Sequence, residues 1–221
     1  MDAIRVKDLF DLSHTRAAEM LDACEYPWEA LARIKETVLA IGGTLDPEKY
    51  DQPSEGVWIA KSASIAPTAT IAASCIIGEN TQVRPGAFLR GSILVGNDCV
   101  VGNSTELKNC ILFDHVQVPH YNYVGDSILG HYAHMGAGAI TSNVKGDKKP
   151  VVVHGEARYE TGCKKFGAML GDYAEIGCNS VLNPGTVIGR DTQVYPLSSV
   201  RGAIPARSIV KGERGVFPKN D

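Results

Sequence analysis

In this 221-residue chain an aliphatic or phenylalanine side chain recurs at every sixth position. Ile59, Ile65, Ile71, Ile77, Val83, Leu89, Val95, Val101, Leu107 and Phe113 form one unbroken array. Leu170, Ile176, Leu182, Ile188, Val194 and Val200 form a second. Neither the 3.6-residue period of a helix nor the two-residue period of a strand produces this spacing. A hexad has room for one short strand and one corner, so three hexads close a triangular coil of about 18 residues. The aliphatic residue of each hexad then points inward and stacks on its equivalent in the next coil. The strings IGEN, VRPG, VGND, VGNS, VGDS, IGCN, LNPG and IGRD supply the corners. Their Gly, Asn, Asp and Pro tolerate positive φ or preset a turn.

The phase breaks between the two arrays. Hexads persist at Val118, Val124, Leu129 and Met135, with shortened steps. VKGDKKP within 144–155 then reads as a loop excursion from the β-helix. Excursions from a solenoid map to one face and often carry function. Residues 13–41 show apolar positions at helical spacing, with Ser13 as N-cap and Gly42–Gly43 as stop, which predicts one or two amphipathic helices. The expected organisation is a helical N-terminal cap and linker (1–56), a β-helix (57–205) and a C-terminal tail (206–221). A cap over an open end would hide an unpaired strand edge.

Composition narrows the function classes. A formal net charge of −3 provides no basic field for nucleic acid. No apolar run approaches the roughly 20 residues that span a bilayer, and MDAIRVKDLFDL lacks the pattern of a secretory signal. The six cysteines are scattered without a C-x-x-C pair, which argues against a disulfide framework or structural zinc. The expectation is a cytoplasmic protein. Polar residues that interrupt so regular a scaffold are the informative ones: Arg84, Lys108, His120, Tyr123, Asn143 and Lys149.

The repeat resembles the bacterial hexapeptide repeat, and that resemblance implies a mainly β fold, a left-handed parallel β-helix with a small α-helical N-terminal segment. VRPGAF, VGNSTELKN, PHYNYVGDSILG and MGAGAITSN occur here in that order. Together they resemble the acetyltransferase domain of the bifunctional glucosamine-1-phosphate acetyltransferase/UDP-N-acetylglucosamine pyrophosphorylase family. The resemblance implies an acetyl-CoA-dependent N-acetyltransferase acting on an amino-sugar 1-phosphate in a UDP-N-acetylglucosamine-like pathway. No metal is required for that transfer.

By position, the resemblance makes His120 the catalytic base and places Asn143 near the acetyl group and the acceptor. Lys108, Tyr123 and Lys149 fall where the family holds the sugar phosphate, and Arg84 and Arg90 compete for the arginine of that subsite. Ala137 falls where a backbone group meets the thioester. The chemistry suits the residue types. An attacking amine must lose a proton, and imidazole changes protonation near neutrality. Backbone N–H groups at Gly136–Gly138 are candidate oxyanion donors. A phosphate calls for cations such as an arginine fork and a lysine point charge. The tail cations Arg201, Arg207, Lys211 and Arg214 are candidates for the phosphates of acetyl-CoA.

This chain departs from the family at two positions. His134 stands where the family has an acceptor-binding asparagine, and Cys178 where it often has a serine near acetyl-CoA. No L-x-x-G-x-G-T-[RK] segment occurs, so a separate nucleotidylyltransferase is a candidate partner. The resemblance also implies a homotrimer with its sites between neighbouring subunits. Two other readings stand beside this one: a non-catalytic trimeric partner of a nucleotidylyltransferase, and an acyltransferase acting on another sugar. A zinc-dependent carbonic anhydrase fits poorly, because no histidine occurs between residues 57 and 114.

Overall fold

A computed structural model describes residues 3–219 and shows a parallel β-helix of about nine turns. Each coil has three faces. Val57–Ala60, Cys75–Ile77 and Ile93–Val95 begin the first face, and Ser64–Ile65, Gln82–Val83 and Val100–Asn103 the second. Thr70–Ile71 and Phe88–Leu89 begin the third. Every rung is parallel, as in Val83 with Val101, Val101 with Val118 and Leu89 with Leu107. Backbone groups are therefore satisfied between coils, while the hexad residues Val83, Leu89, Val101, Leu107, Val118 and Val124 fill the prism. Each such burial contributes about 1.5–3 kcal/mol.

Corner residues repeat the same backbone conformation in columns. Ser104, Tyr121, Gly138, Asn179 and Leu197 all have positive φ at the corner between the second and third faces. Asn109 and Asp126 do so between the third and first. At that corner the seven-residue strands Glu106–Leu112 and Tyr123–Leu129 continue from one face onto the next.

The first face differs from the other two. Its strands Cys75–Ile77, Ile93–Val95, Ala168–Leu170 and Thr186–Ile188 are buried on both sides. Ile76, Leu94, Ile111 and Met169 point away from the prism, yet are fully covered. The cover is the N-terminal segment. Helical stretches Val6–Leu9, Ala18–Asp22 and Ile34–Gly42, with 3₁₀ turns Leu12–His14 and Pro27–Ala32, lie along this flank. Phe10 packs on Phe113, and Asp11 N–H and His131 N–H both donate to the buried Asp172 carboxylate. The segment thus covers a side of the solenoid rather than an end, and Pro27 and the short turns break the expected helices into pieces. The ends are closed otherwise. Tyr50–Ser54 pairs antiparallel with Val57–Ala60, and Val216–Pro218 folds back on Ser208–Val210.

The excursion is longer than VKGDKKP alone. The rung step between coils is 17 from Tyr123 to Ile140 and 41 from Ile140 to Val181. The added chain includes an antiparallel hairpin, Val152–His154 with Arg158–Glu160. No helix among the described residues is long and apolar enough to cross a membrane.

Candidate functional site

Lys108 ends the third-face part of its strand, and one coil later Asp126 occupies the next corner. The Lys108 ammonium lies 2.9 and 3.0 Å from the two Asp126 carboxylate oxygens. Asn109 Nδ2 donates to Asp126 Oδ1 at 2.9 Å, and Asn143 Nδ2 donates to Oδ2. Asn143 Nδ2 also donates to the Tyr123 hydroxyl at 3.2 Å. Tyr123 reaches this corner by lying over Gly125, where any Cβ would strike its ring. Burial, and then the Asp126 charge, push the Tyr123 phenol above its ordinary range, so it remains a protonated donor. Lys108, Tyr123 and Asn143 therefore form one connected network around a carboxylate.

Of the two arginines, Arg90 adjoins this network. Leu89 pairs with Leu107, and Arg90 N–H donates to the Leu107 carbonyl, so Arg90 sits beside Lys108 on the preceding coil. Its guanidinium is held by Glu106 at 2.6 Å. Arg84 lies one hexad earlier, on the second face, and contacts Gln82 instead. Lys149 stands on the exposed excursion, where its N–H donates to Asp147.

His120 lies at a different corner, at the end of the second-face strand Gln117–His120. Its imidazole is exposed and has no hydrogen-bond partner among the described residues. Its backbone is fixed: His120 N–H donates to Asn122 Oδ1 at 3.1 Å, and its carbonyl accepts from Gly138 N–H at 3.0 Å. Buried Asn122 also donates to the Gly136 and Ala139 carbonyls, which staples the His120 corner to the glycine-rich turn below. Of that turn's amides, Gly136 N–H is taken by Ile176 and Gly138 N–H by His120. Neither is a free oxyanion donor, because the coil ladder uses both. Among the described residues the intervening Ala137 N–H has no acceptor.

Ala137 and Cys178 continue the column below His120, since Asn179 N–H donates to the Ala137 carbonyl and Leu197 N–H to that of Cys178. Beside them runs a shallow groove of about 390 Å³ lined by His134, Gly136, Glu175, Cys178 and Tyr195. His134 Nδ1 is 2.8 Å from Glu175 Oε2. Arg201, a tail cation, is exposed. Within one chain the His120 column and the Asn143 network occupy opposite edges of the third face. At about 3.3 Å per residue, the Tyr123–Asp126 stretch separates them by on the order of 10 Å.

Asp126 and Asn122 escape a reading that looks for cations and bases. Asp126 sits in a VGDS corner like any other. Its signal is an 18-residue separation from Lys108, which puts the two on adjacent coils. Burial pushes the Cys75 and Cys99 thiols up to about 12, and Cys110 higher still.

Three-faced coils with one inward aliphatic per hexad define the hexapeptide-repeat β-helix class. The chain belongs to the GMPPB C-terminal domain family, which it matches over residues 74–206, more than half its length. It is similar to the bifunctional protein GlmU of Methanococcus aeolicus, with 34% identity over 173 residues, covering 70% of this chain and 42% of that one. Against GlmU of Nostoc sp. PCC 7120 the identity is 31% over 174 residues, 79% of this chain and 34% of that one. GlmU of Methanococcus maripaludis strain C5 is 33% identical over 126 residues, 57% of this chain and 31% of that one. This chain thus spans between about a third and two fifths of these relatives' length. A solved Francisella novicida UDP-N-acetylglucosamine acyltransferase aligns at 16% identity and a TM-score of 0.48, covering 75% of this chain and 66% of that one.

Proposed function

We propose that this chain is an acetyl-CoA-dependent N-acetyltransferase for an amino-sugar 1-phosphate such as glucosamine 1-phosphate, with His120 as general base. The observation that carries it is an exposed imidazole and, on the adjoining coil, the Ala137 N–H, neither with a hydrogen-bond partner among the described residues. A base and an oxyanion donor are what acyl transfer to an amine needs. Similarity to GlmU over this region supports the same reading.

In the proposed reaction the acceptor nitrogen attacks the thioester carbonyl carbon. A C–N bond forms while the amine proton passes to His120. The tetrahedral oxyanion accepts from Ala137 N–H, and its collapse breaks the C–S bond. The thiolate takes the proton back from His120, leaving an amide and a free thiol. Arg90 and Lys108 meet the sugar phosphate, with Tyr123 donating beside them. The corner from Ala137 to Cys178 and its groove receive acetyl-CoA, and His134, fixed by Glu175, borders the acceptor.

Two edges of one face cannot both reach a single small acceptor. The proposal therefore includes a ring of three copies in which the His120 edge of one subunit meets the Asn143 edge of the next, a heterologous contact that closes. The first face, covered by its own helices, stays outside that contact. A thiol-release assay with acetyl-CoA against glucosamine 1-phosphate and galactosamine 1-phosphate tests the reading. Release dependent on the amino sugar is expected, and no release with any amino-sugar phosphate would overturn it.

A further inference from the structure

We infer that Asp126 is a positioning residue that makes the site select an amine over a hydroxyl acceptor, an inference that rests on the acetyltransferase reading. Asp126 is 3% exposed, and among the described residues the side chains that hydrogen-bond its carboxylate all belong to the site corner: Lys108, Asn109 and Asn143. A carboxylate can only accept hydrogen bonds. Asn143 must therefore turn its NH₂ toward Asp126, and the same NH₂ reaches the Tyr123 hydroxyl. Asn143 Oδ1 is left as a pure acceptor with no partner among the described residues.

An outward acceptor discriminates between nucleophiles by counting hydrogens. A neutral amine has two N–H groups and can donate one to the base, His120 of the partner subunit, and the other to Asn143 Oδ1. A hydroxyl has one. If it serves the base, Asn143 Oδ1 is stranded, and stranded polar groups are how sites reject near-isosteres. Without the Asp126 carboxylate the Asn143 amide loses the contact that decides which end faces out, since either end could then meet its neighbour. Asn109 Nδ2 also donates to the Leu31 carbonyl at 3.2 Å, so the N-terminal segment helps to hold the carboxylate's corner.

The test is a double-mutant cycle on Asp126→Asn and Asn143→Ala, read as kcat/KM for glucosamine 1-phosphate and as KM for acetyl-CoA. Asp126→Asn is expected to lower kcat/KM by about 10²-fold, the usual effect of misplacing a reacting contact, with KM for acetyl-CoA unchanged. The double variant is expected to be no worse than Asn143→Ala alone, because Asp126 acts through Asn143. Losses that multiply overturn the inference, since a merely structural carboxylate damages the site independently. If the native chain transfers to no amine, the acetyltransferase reading fails, and the orientation is then judged by the ¹⁵N resonance of the Asn143 side-chain amide. Movement of that resonance in Asp126→Asn supports the Asp126–Asn143 contact, and an unmoved resonance overturns it.

Discussion

The imidazole rings of His14 and His131 lie face to face, with centroids 3.6 Å apart and planes 6° from parallel. This stack joins the N-terminal segment to the β-helix next to the Asp172 anchor. His115 meets His131 edge-on, Tyr132 and Tyr173 close over it, and Asp11 lies 3.8 Å from His14.

The stack makes stability depend on pH. Burial, and then the facing His14, hold His131 below the ordinary histidine range. The folded chain thus binds fewer protons than the unfolded one near the unfolded value of about 6.5. Stability is full above that value and is lost progressively as pH falls from it toward the lower folded value. Thermal unfolding followed from about pH 8 to about pH 6, above the carboxylate range, should show a falling Tm. In His131→Asn the fall should be shallower, and an unchanged slope would contradict the assignment.

Trp28 ties the flank segment to the root of the excursion. It stacks on Tyr26 at 4.6 Å and packs on Phe166, whose N–H donates to the Asn143 carbonyl. Trp28→Ala should cost about 3–5 kcal/mol in denaturant unfolding. It should also speed hydrogen exchange at the Phe166 amide. Loss of stability with Phe166 exchange unchanged would show that Trp28 does not support the site.

The solenoid was legible because its period is set by the inward residues alone, and these never slip within an array. The covered flank left a signal that a six-residue template ignores. CII, ILV, CIL and AML at 75–77, 93–95, 110–112 and 168–170 are apolar at outward positions too. A face that is greasy on both sides must be covered. Lys108, Tyr123 and Asn143 were legible as types, but Asp126, the common partner of Lys108 and Asn143, was not, because an Asp in a Gly-Asp corner also serves the turn. That Arg90 lies beside Lys108, and Arg84 one hexad away, is visible only in the rungs.

Separation of His120 from Asn143 within one chain predicts complementation. His120→Ala and Asn143→Ala chains, each impaired alone, should gain activity over either when refolded together in equal amounts. Random closed rings give about a quarter of contacts with both residues intact. No recovery, despite mixed rings shown by mass spectrometry, would place both residues of each site in one subunit.

The most direct measurement of the central claim is thiol release from acetyl-CoA by His120→Ala beside the native chain, on the amino-sugar phosphate the native chain prefers. The expected result is a kcat lower by about 10²-fold or more, with Tm and KM for acetyl-CoA unchanged, because the exposed imidazole makes no hydrogen bond to the described residues. Full activity in His120→Ala would contradict it.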